Sequence, residues 1–128
     1  MTVATIVYLL GVQVDTIFNP FNGLILQLGL LSYPLTILWI TGISNAVNFI
    51  DGIDGLAGSI ISISAVTLGL IAAGMSSTGI VSPLIAFILA GSMLAFLTFN
   101  FNPAKIFIGD SGALFSGFLL ATLSIAGV

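Results

Sequence analysis

Apolar residues fall along this chain in long blocks separated by short polar segments. Residues 1–12 are apolar but shorter than the roughly 20 residues a helix needs to cross a bilayer, so they read as the end of a span. Residues 12–31 change character. Val12-Gln-Val-Asp-Thr16 alternates as a half-exposed strand does, and Phe18-Asn-Pro-Phe-Asn-Gly23 is dense in turn formers. Asn22-Gly23 favours a tight hairpin, with Leu24-Ile-Leu-Gln-Leu28 as the returning strand. A short β-hairpin outside the hydrocarbon is expected, with Asp15 in solvent and without a catalytic role.

Ser32-Tyr-Pro34 suits a helix start, Ser32 as cap and Pro34 in the first turn. The helix should run over 33–49. Further spans are expected over 56–74, 80–98 and 113–128, with residues 75–79 as a loop and Ser82-Pro83 as another helix start. Gly58/Ser62, Gly69/Ala73 and Gly117/Ala121 place small residues four apart, a spacing that lets membrane helices approach closely. The expected fold class is an all-α integral membrane protein. Its multi-span transmembrane helices and one short extracytoplasmic β-hairpin form a single membrane domain over 1–128.

Composition makes the membrane reading firm. The chain is 59% hydrophobic and 4% charged, against about 25% charged in soluble domains, and its mean hydropathy is +1.33. A pI near 4.1 and a single Lys exclude a nucleic-acid partner. No Cys or His is present. Thiolate metal sites, disulfides and imidazole acid–base chemistry are therefore excluded.

Charge then singles out two polar islands. The only formal charges are Asp15, Asp51, Asp54, Lys105 and Asp110. Asp51 and Asp54 lie in Asn45-Ala-Val-Asn-Phe-Ile-Asp-Gly-Ile-Asp-Gly-Leu56. An ionised Asp inside a membrane costs roughly 2.5–3.5 kcal/mol on insertion scales, so two carboxylates three residues apart imply a use for them. Asn45, Asn48 and Asp51 share a helix face, and a break near Gly52 or Gly55 would let Asp54 join them. The second island is Phe99-Asn-Phe-Asn-Pro-Ala-Lys-Ile-Phe-Ile-Gly-Asp-Ser-Gly112.

Two spans separate the islands, so both return to one membrane face and Asp51, Asp54 and Asp110 can share a site. Lys105 marks that face as cytoplasmic under the positive-inside rule. Hard oxygen donors without His or Cys suit magnesium, which takes one or two carboxylates and substrate phosphates. Asp110-Ser-Gly112 precedes an expected helix, whose N-terminal N–H groups and dipole favour a phosphate. Two other readings are compatible with these residues. One is a cation-coupled transporter module, which would place polar groups in the middle of its spans. The other is a non-catalytic structural segment.

The islands also carry a resemblance. Asn45-Ala-Val-Asn-Phe-Ile-Asp-Gly-Ile-Asp-Gly-Leu-Ala57 and Pro103-Ala-Lys-Ile-Phe-Ile-Gly-Asp-Ser-Gly112 resemble, in order and with the same two-span interval, the signature segments of the polyprenyl-phosphate N-acetylhexosamine-1-phosphate transferases (glycosyltransferase family 4). Asn19-Pro-Phe21 and Leu31-Ser-Tyr-Pro-Leu35 are similar to the bacterial undecaprenyl-phosphate GlcNAc-1-phosphate branch.

The resemblance implies transfer of a sugar-1-phosphate from a UDP-N-acetylhexosamine to undecaprenyl phosphate, with release of UMP, to start a cell-envelope polysaccharide. It implies a multi-pass plasma-membrane enzyme with a cytoplasmic site, and it admits a homodimer. Asn48 and Asp110 match the magnesium-associated positions. Asp51 and Asp54 match an acidic pair that lines the nucleotide pocket, and Gly55 and Leu56 lie along the uridine. Asp51, Asp54 and Asp110 are the implied catalytic residues. The family also carries an Asp-Asp loop and a basic loop that these 128 residues lack. The chain is thus expected to be an internal fragment of the transferase, inactive by itself.

Overall fold

The computed structural model describes residues 2–18, 23–75 and 79–127. Helix α1 covers Thr2–Leu9, strands β1 and β2 cover Thr16–Phe18 and Ile25–Gln27, and a 3-10 turn at Gly29–Leu31 leads into α2, Ser32–Ile50. Then follow α3 (Leu56–Gly74), α4 (Val81–Asn100) and α5 (Gly109–Ala126). Four segments are long and apolar enough to cross a membrane: Gly29–Ile50, Leu56–Gly74, Val81–Asn100 and Gly109–Ala126. At 1.5 Å per residue, 18–22 residues reach about 27–33 Å, the thickness of a hydrocarbon core. An all-α membrane fold with one small hairpin is what the apolar blocks foretold.

The helices pack mainly as two pairs, α3 with α4 and α2 with α5, with α1 laid against α2. Small residues fill the interior. Ala57, Ala65, Ala90 and Ala113 are buried with Ile61, Val47, Leu89 and Leu120 in one cluster, while Ala4, Ile37, Ile40 and Ala121 form a second. Larger side chains point outward instead: Leu38, Ile63, Leu70 and Ile88 each keep more than 60% of their surface exposed. In lipid that surface needs no burial, so close backbone approach decides the packing. A Cβ added at Gly117 would stand 2.8 Å from the Ser44 Cα, and one at Gly58 2.8 Å from Leu97 Cδ2. Gly69 similarly abuts the Phe87 ring. The small-residue pairs read from the sequence therefore lie at α2–α5 and α3–α4 contacts.

Several boundaries moved. The hairpin is antiparallel, with Thr16 opposite Gln27, Ile17 opposite Leu26 and Phe18 opposite Ile25. Residues 12–15 lie outside the strands, although the Leu28 N–H still donates to Asp15 O at 2.9 Å in the hairpin's register. Val14 is tied to α2 instead: its N–H donates to Thr36 Oγ1 at 3.0 Å. The turn expected at Asn19–Asn22 lies outside the described residues. Ser32 is not the α2 cap. The 3-10 turn already engages the entering N–H groups, with Leu31 N–H on Leu28 O and Ser32 N–H on Gly29 O. The Ser32 hydroxyl instead donates to Asp15 Oδ1 at 3.2 Å, beside the Gln13 Nε2 bond to Oδ2. Asp15 is exposed there, as expected, and fastens the strand entry to α2.

Helix α5 begins at Gly109, four residues before the expected span. A helix's first turn tolerates polar residues because its N–H groups lack intrahelical partners, so Gly-Asp-Ser-Gly belongs to the helix.

Candidate active site

Helix α2 stops at Ile50 and α3 starts at Leu56, leaving Asp51–Gly55 as a tight turn. The Leu56 N–H reaches back to Ile53 O at 3.1 Å. Gly55 takes φ +74°, a left-handed conformation that costs side-chain-bearing residues. A Cβ there would also lie 3.3 Å from the Phe101 ring, so only Gly seats this turn under the second island.

That island folds back onto the turn through two Asn residues. The buried Asn100, 3% exposed, accepts the Gly55 N–H on Oδ1 at 3.0 Å and donates from Nδ2 to Ile106 O at 2.8 Å. Asp54 Oδ2 accepts from Asn102 Nδ2 at 3.1 Å and from the Ala104 N–H at 3.0 Å. The Lys105 N–H closes the loop on Phe99 O at 2.9 Å. The expectation that both islands lie on one face and meet is realised in these bonds.

Asp51 meets the start of α5. Burial pushes its carboxyl above the ordinary carboxylate value, a backbone N–H bond from Gly109 lowers it, and the Asp110 charge raises it again. Asp51 and Asp110 are thus near neighbours although they come from separate islands. Asp110 stands in the first turn of α5, where the cap position is Ile108 with no side-chain capping bond. One turn before Asp51 on α2, Asn48 holds its Oδ1 buried without a hydrogen-bond partner. An orphaned carbonyl oxygen in a membrane interior is costly, and it marks a place where an electropositive group fits.

These residues fit a hard cation. Asn48, with its unpartnered amide oxygen, and the carboxylates of Asp51 and Asp110 offer oxygen donors of the kind that Mg2+ takes. Among the described residues no group of three His, Cys, Asp or Glu gathers around one point. Asp54 does not join Asp51 and Asp110 in a carboxylate cluster, because its Oδ2 is engaged by the 102–104 backbone and side chain. Asn45 does not converge either: it is exposed, and its Nδ2 bonds Thr41 O of its own helix at 2.7 Å. Gly55 is buried and Leu56 half-buried at the start of α3.

The sequence reading passed over Asn100 and Asn102. Their only signal was the pairing of two Asn residues with Phe at the end of a span. A cleft of about 740 Å³ lies elsewhere, under the hairpin beside Asp15, Trp39 and Ser124.

Comparison with known proteins gives the family. The family model for glycosyl transferase family 4 matches residues 1–128. A Bacillus subtilis (strain 168) protein named "Probable undecaprenyl-phosphate N-acetylglucosaminyl 1-phosphate transferase" is 41% identical over 126 residues, 98% of this chain and 35% of that protein. The "Phospho-N-acetylmuramoyl-pentapeptide-transferase" of Streptococcus agalactiae serotype Ia is 45% identical over 104 residues, 81% of this chain and 30% of its own length. Its namesake from Streptococcus thermophilus (strain CNRZ 1066) is 45% identical over 105 residues, with 82% and 30% covered. The chain spans about a third of the length of these relatives. With every residue matched by the family model and both polar islands folded together at one end of the helices, the chain belongs to glycosyl transferase family 4.

Proposed function

We propose that these residues form the metal and nucleotide side of a membrane transferase that moves a sugar-1-phosphate from a UDP-sugar to undecaprenyl phosphate. The observation that carries the reading is the second island bonded onto the 51–55 turn through Asn100, Asn102 and Ala104, with the unpartnered Asn48 oxygen one turn before Asp51. The Bacillus protein's name supplies both the lipid acceptor, undecaprenyl phosphate, and GlcNAc-1-phosphate as the transferred group. The site faces the cytoplasm of a multi-pass plasma-membrane protein, the side on which Lys105 counts.

In this reading an oxygen of the lipid phosphate attacks the β-phosphorus of the UDP-sugar. A new P–O bond forms, the bond between the β-phosphorus and the UMP oxygen breaks, and UMP leaves with the electron pair. Asn48 and Asp110 would hold Mg2+, which neutralises pyrophosphate charge as it builds on the leaving group. Asp51, at the end of α2, faces the start of α5 and orients that end of the site. A phosphomonoester has its second pKa near 6, so the nucleophile is already ionised at neutral pH and no strong base is required. Gly55 and Leu56 line the uridine, and Asp54 keeps one carboxylate oxygen, Oδ1, beyond its two bonds to the 102–104 loop.

The test is a substrate panel on the family-length protein in a bilayer with Mg2+ and undecaprenyl phosphate. UMP release should be fast with UDP-GlcNAc and at background with UDP-N-acetylmuramoyl-pentapeptide. The reverse preference would move the chain to the muramoyl branch, and UMP release from neither would reject the transferase reading.

A further inference from the structure

We infer that Asn100 is a positioning residue that sets the gap between the two halves of the site. Among the described residues, its amide is the only side chain that bonds a partner in each island: Oδ1 takes the Gly55 N–H and Nδ2 holds Ile106 O. The first partner lies 45 residues away in the chain and the second six. Both bonds are shielded, since Asn100 is 3% exposed. In such surroundings each half of the amide would leave an unsatisfied backbone group if removed, and no water replaces it cheaply.

What these bonds hold explains why the position matters. Gly55 follows Asp54 and opens α3, so fixing its N–H fixes the 51–54 turn. Ile106 lies three residues before Gly109, where α5 begins and leads directly into Asp110. Asn100 therefore ties the two sides together: the 51–55 turn through Gly55, and the segment leading into Gly109 and Asp110 through Ile106. The adjoining Phe101 ring lies over Gly55, and Asp54 clasps Asn102 and Ala104 on the other side. Those contacts align the loop laterally, while Asn100 sets its height above the turn. Asn100 touches no reacting atom. It acts through Gly55 on the nucleotide side and through the segment 106–109 on the Asp110 side. The inference rests on the proposed function only for what the site binds.

Loop separation and nucleotide binding test it separately. The chain has no natural Cys, so spin labels can be placed at Ile53 and Phe107, both more than 60% exposed. A control pair at Leu70 and Ile88 reports α3–α4 packing, away from the loops. In a bilayer, the 53–107 distance distribution should be narrow for Asn100 and broad for Asn100→Leu, which removes both bonds. Asn100→Asp keeps an acceptor for Gly55 but loses the donor to Ile106, so it should fall between them. The 70–88 distance should not change in any of the three. In the family-length protein, the Kd for UDP should rise about tenfold for the Leu variant and less for Asp, the scale of losing one buried hydrogen bond.

A narrow 53–107 distribution in Asn100→Leu would overturn the inference. If Asn100→Leu also disturbs the 70–88 pair, Asn100→Asp decides: broadening at 53–107 alone supports positioning, and no change overturns it. Failure of the wild-type protein to bind UDP would count against the proposed substrate and leave the loop distances to judge Asn100.

Discussion

Replacing Gly117 by Ala adds one methyl group at a close contact between α2 and α5. The new Cβ would lie 2.8 Å from the Ser44 Cα, 3.0 Å from Val47 Cβ and 3.2 Å from Ile43 O. Carbon atoms pack best at about 3.5–4.0 Å, so α5 must withdraw by roughly 1 Å, and two of the three obstacles are backbone atoms that cannot rotate away. Overpacking of this kind costs about 1–3 kcal/mol, which is roughly a 5- to 150-fold shift in a folding equilibrium. The same substitution at Gly91 on α4 meets nothing within 4 Å. Because Ala is the better helix former by about 0.8–1.0 kcal/mol, Gly91→Ala should be neutral or slightly stabilising. Reversible unfolding in mixed detergent micelles, followed by far-ultraviolet circular dichroism, compares the two directly. The displacement also has a functional side, since α2 carries Asn48 and leads into Asp51, while α5 carries Asp110. Gly117→Ala should therefore weaken divalent-cation binding as well as stability. Equal stability of the two Ala variants would show that the α2–α5 contact is not as close as described, and the reasoning would fail.

Other outcomes follow from the same geometry. In the family-length protein, Asp110→Asn should lower activity by about a hundredfold or more, since a metal supplies several kcal/mol of transition-state stabilisation, and raised Mg2+ should restore part of it in a UMP-release assay. A loss of only a few-fold at ordinary Mg2+ would remove Asp110 from the metal site. Gly55→Ala must place a side chain at φ +74° and against the Phe101 ring, a conformation costing about 1–2 kcal/mol. It should raise the Kd for UDP about tenfold, which nucleotide titration would read. Single Cys residues at Ile53 and Ile106 should label with an impermeant maleimide from one membrane face and Cys at Ile25 from the other. Opposite labelling of 53 and 106 would separate the islands.

The spans were legible because length and apolarity alone decide what can cross a bilayer. The even number of crossings between Asp51 and Asp110 followed from counting those blocks. Helix ends were less legible. Gly109-Asp-Ser-Gly112 reads as a loop by polarity, yet it forms the first turn of α5, where polar groups are tolerated. Ser32 has the residue type of a cap, but the 3-10 turn before it had already engaged the N–H groups a cap would serve.

Asn45 illustrates a further limit. Its spacing to Asn48 was right for a shared face, but an Asn on an exposed helix face can satisfy itself on the preceding turn, as it does on Thr41 O. The role of Asn100 was not legible in the sequence beyond its place in the second island. Its partners are backbone groups, one of them 45 residues distant, and no local pattern in side chains records such a bond. The division of Asp54 from Asp51 was equally hidden, because both carboxylates look alike until the 102–104 loop occupies one of them.

The most direct measurement follows the β-phosphate. With UDP-GlcNAc carrying ³²P at the β position, the family-length protein in a bilayer with undecaprenyl phosphate and Mg2+ should pass the label to the lipid and release unlabelled UMP in equal amount. Label leaving as UDP, with unlabelled sugar on the lipid, would mean attack at the sugar carbon and would contradict the site's assignment to phosphoryl transfer.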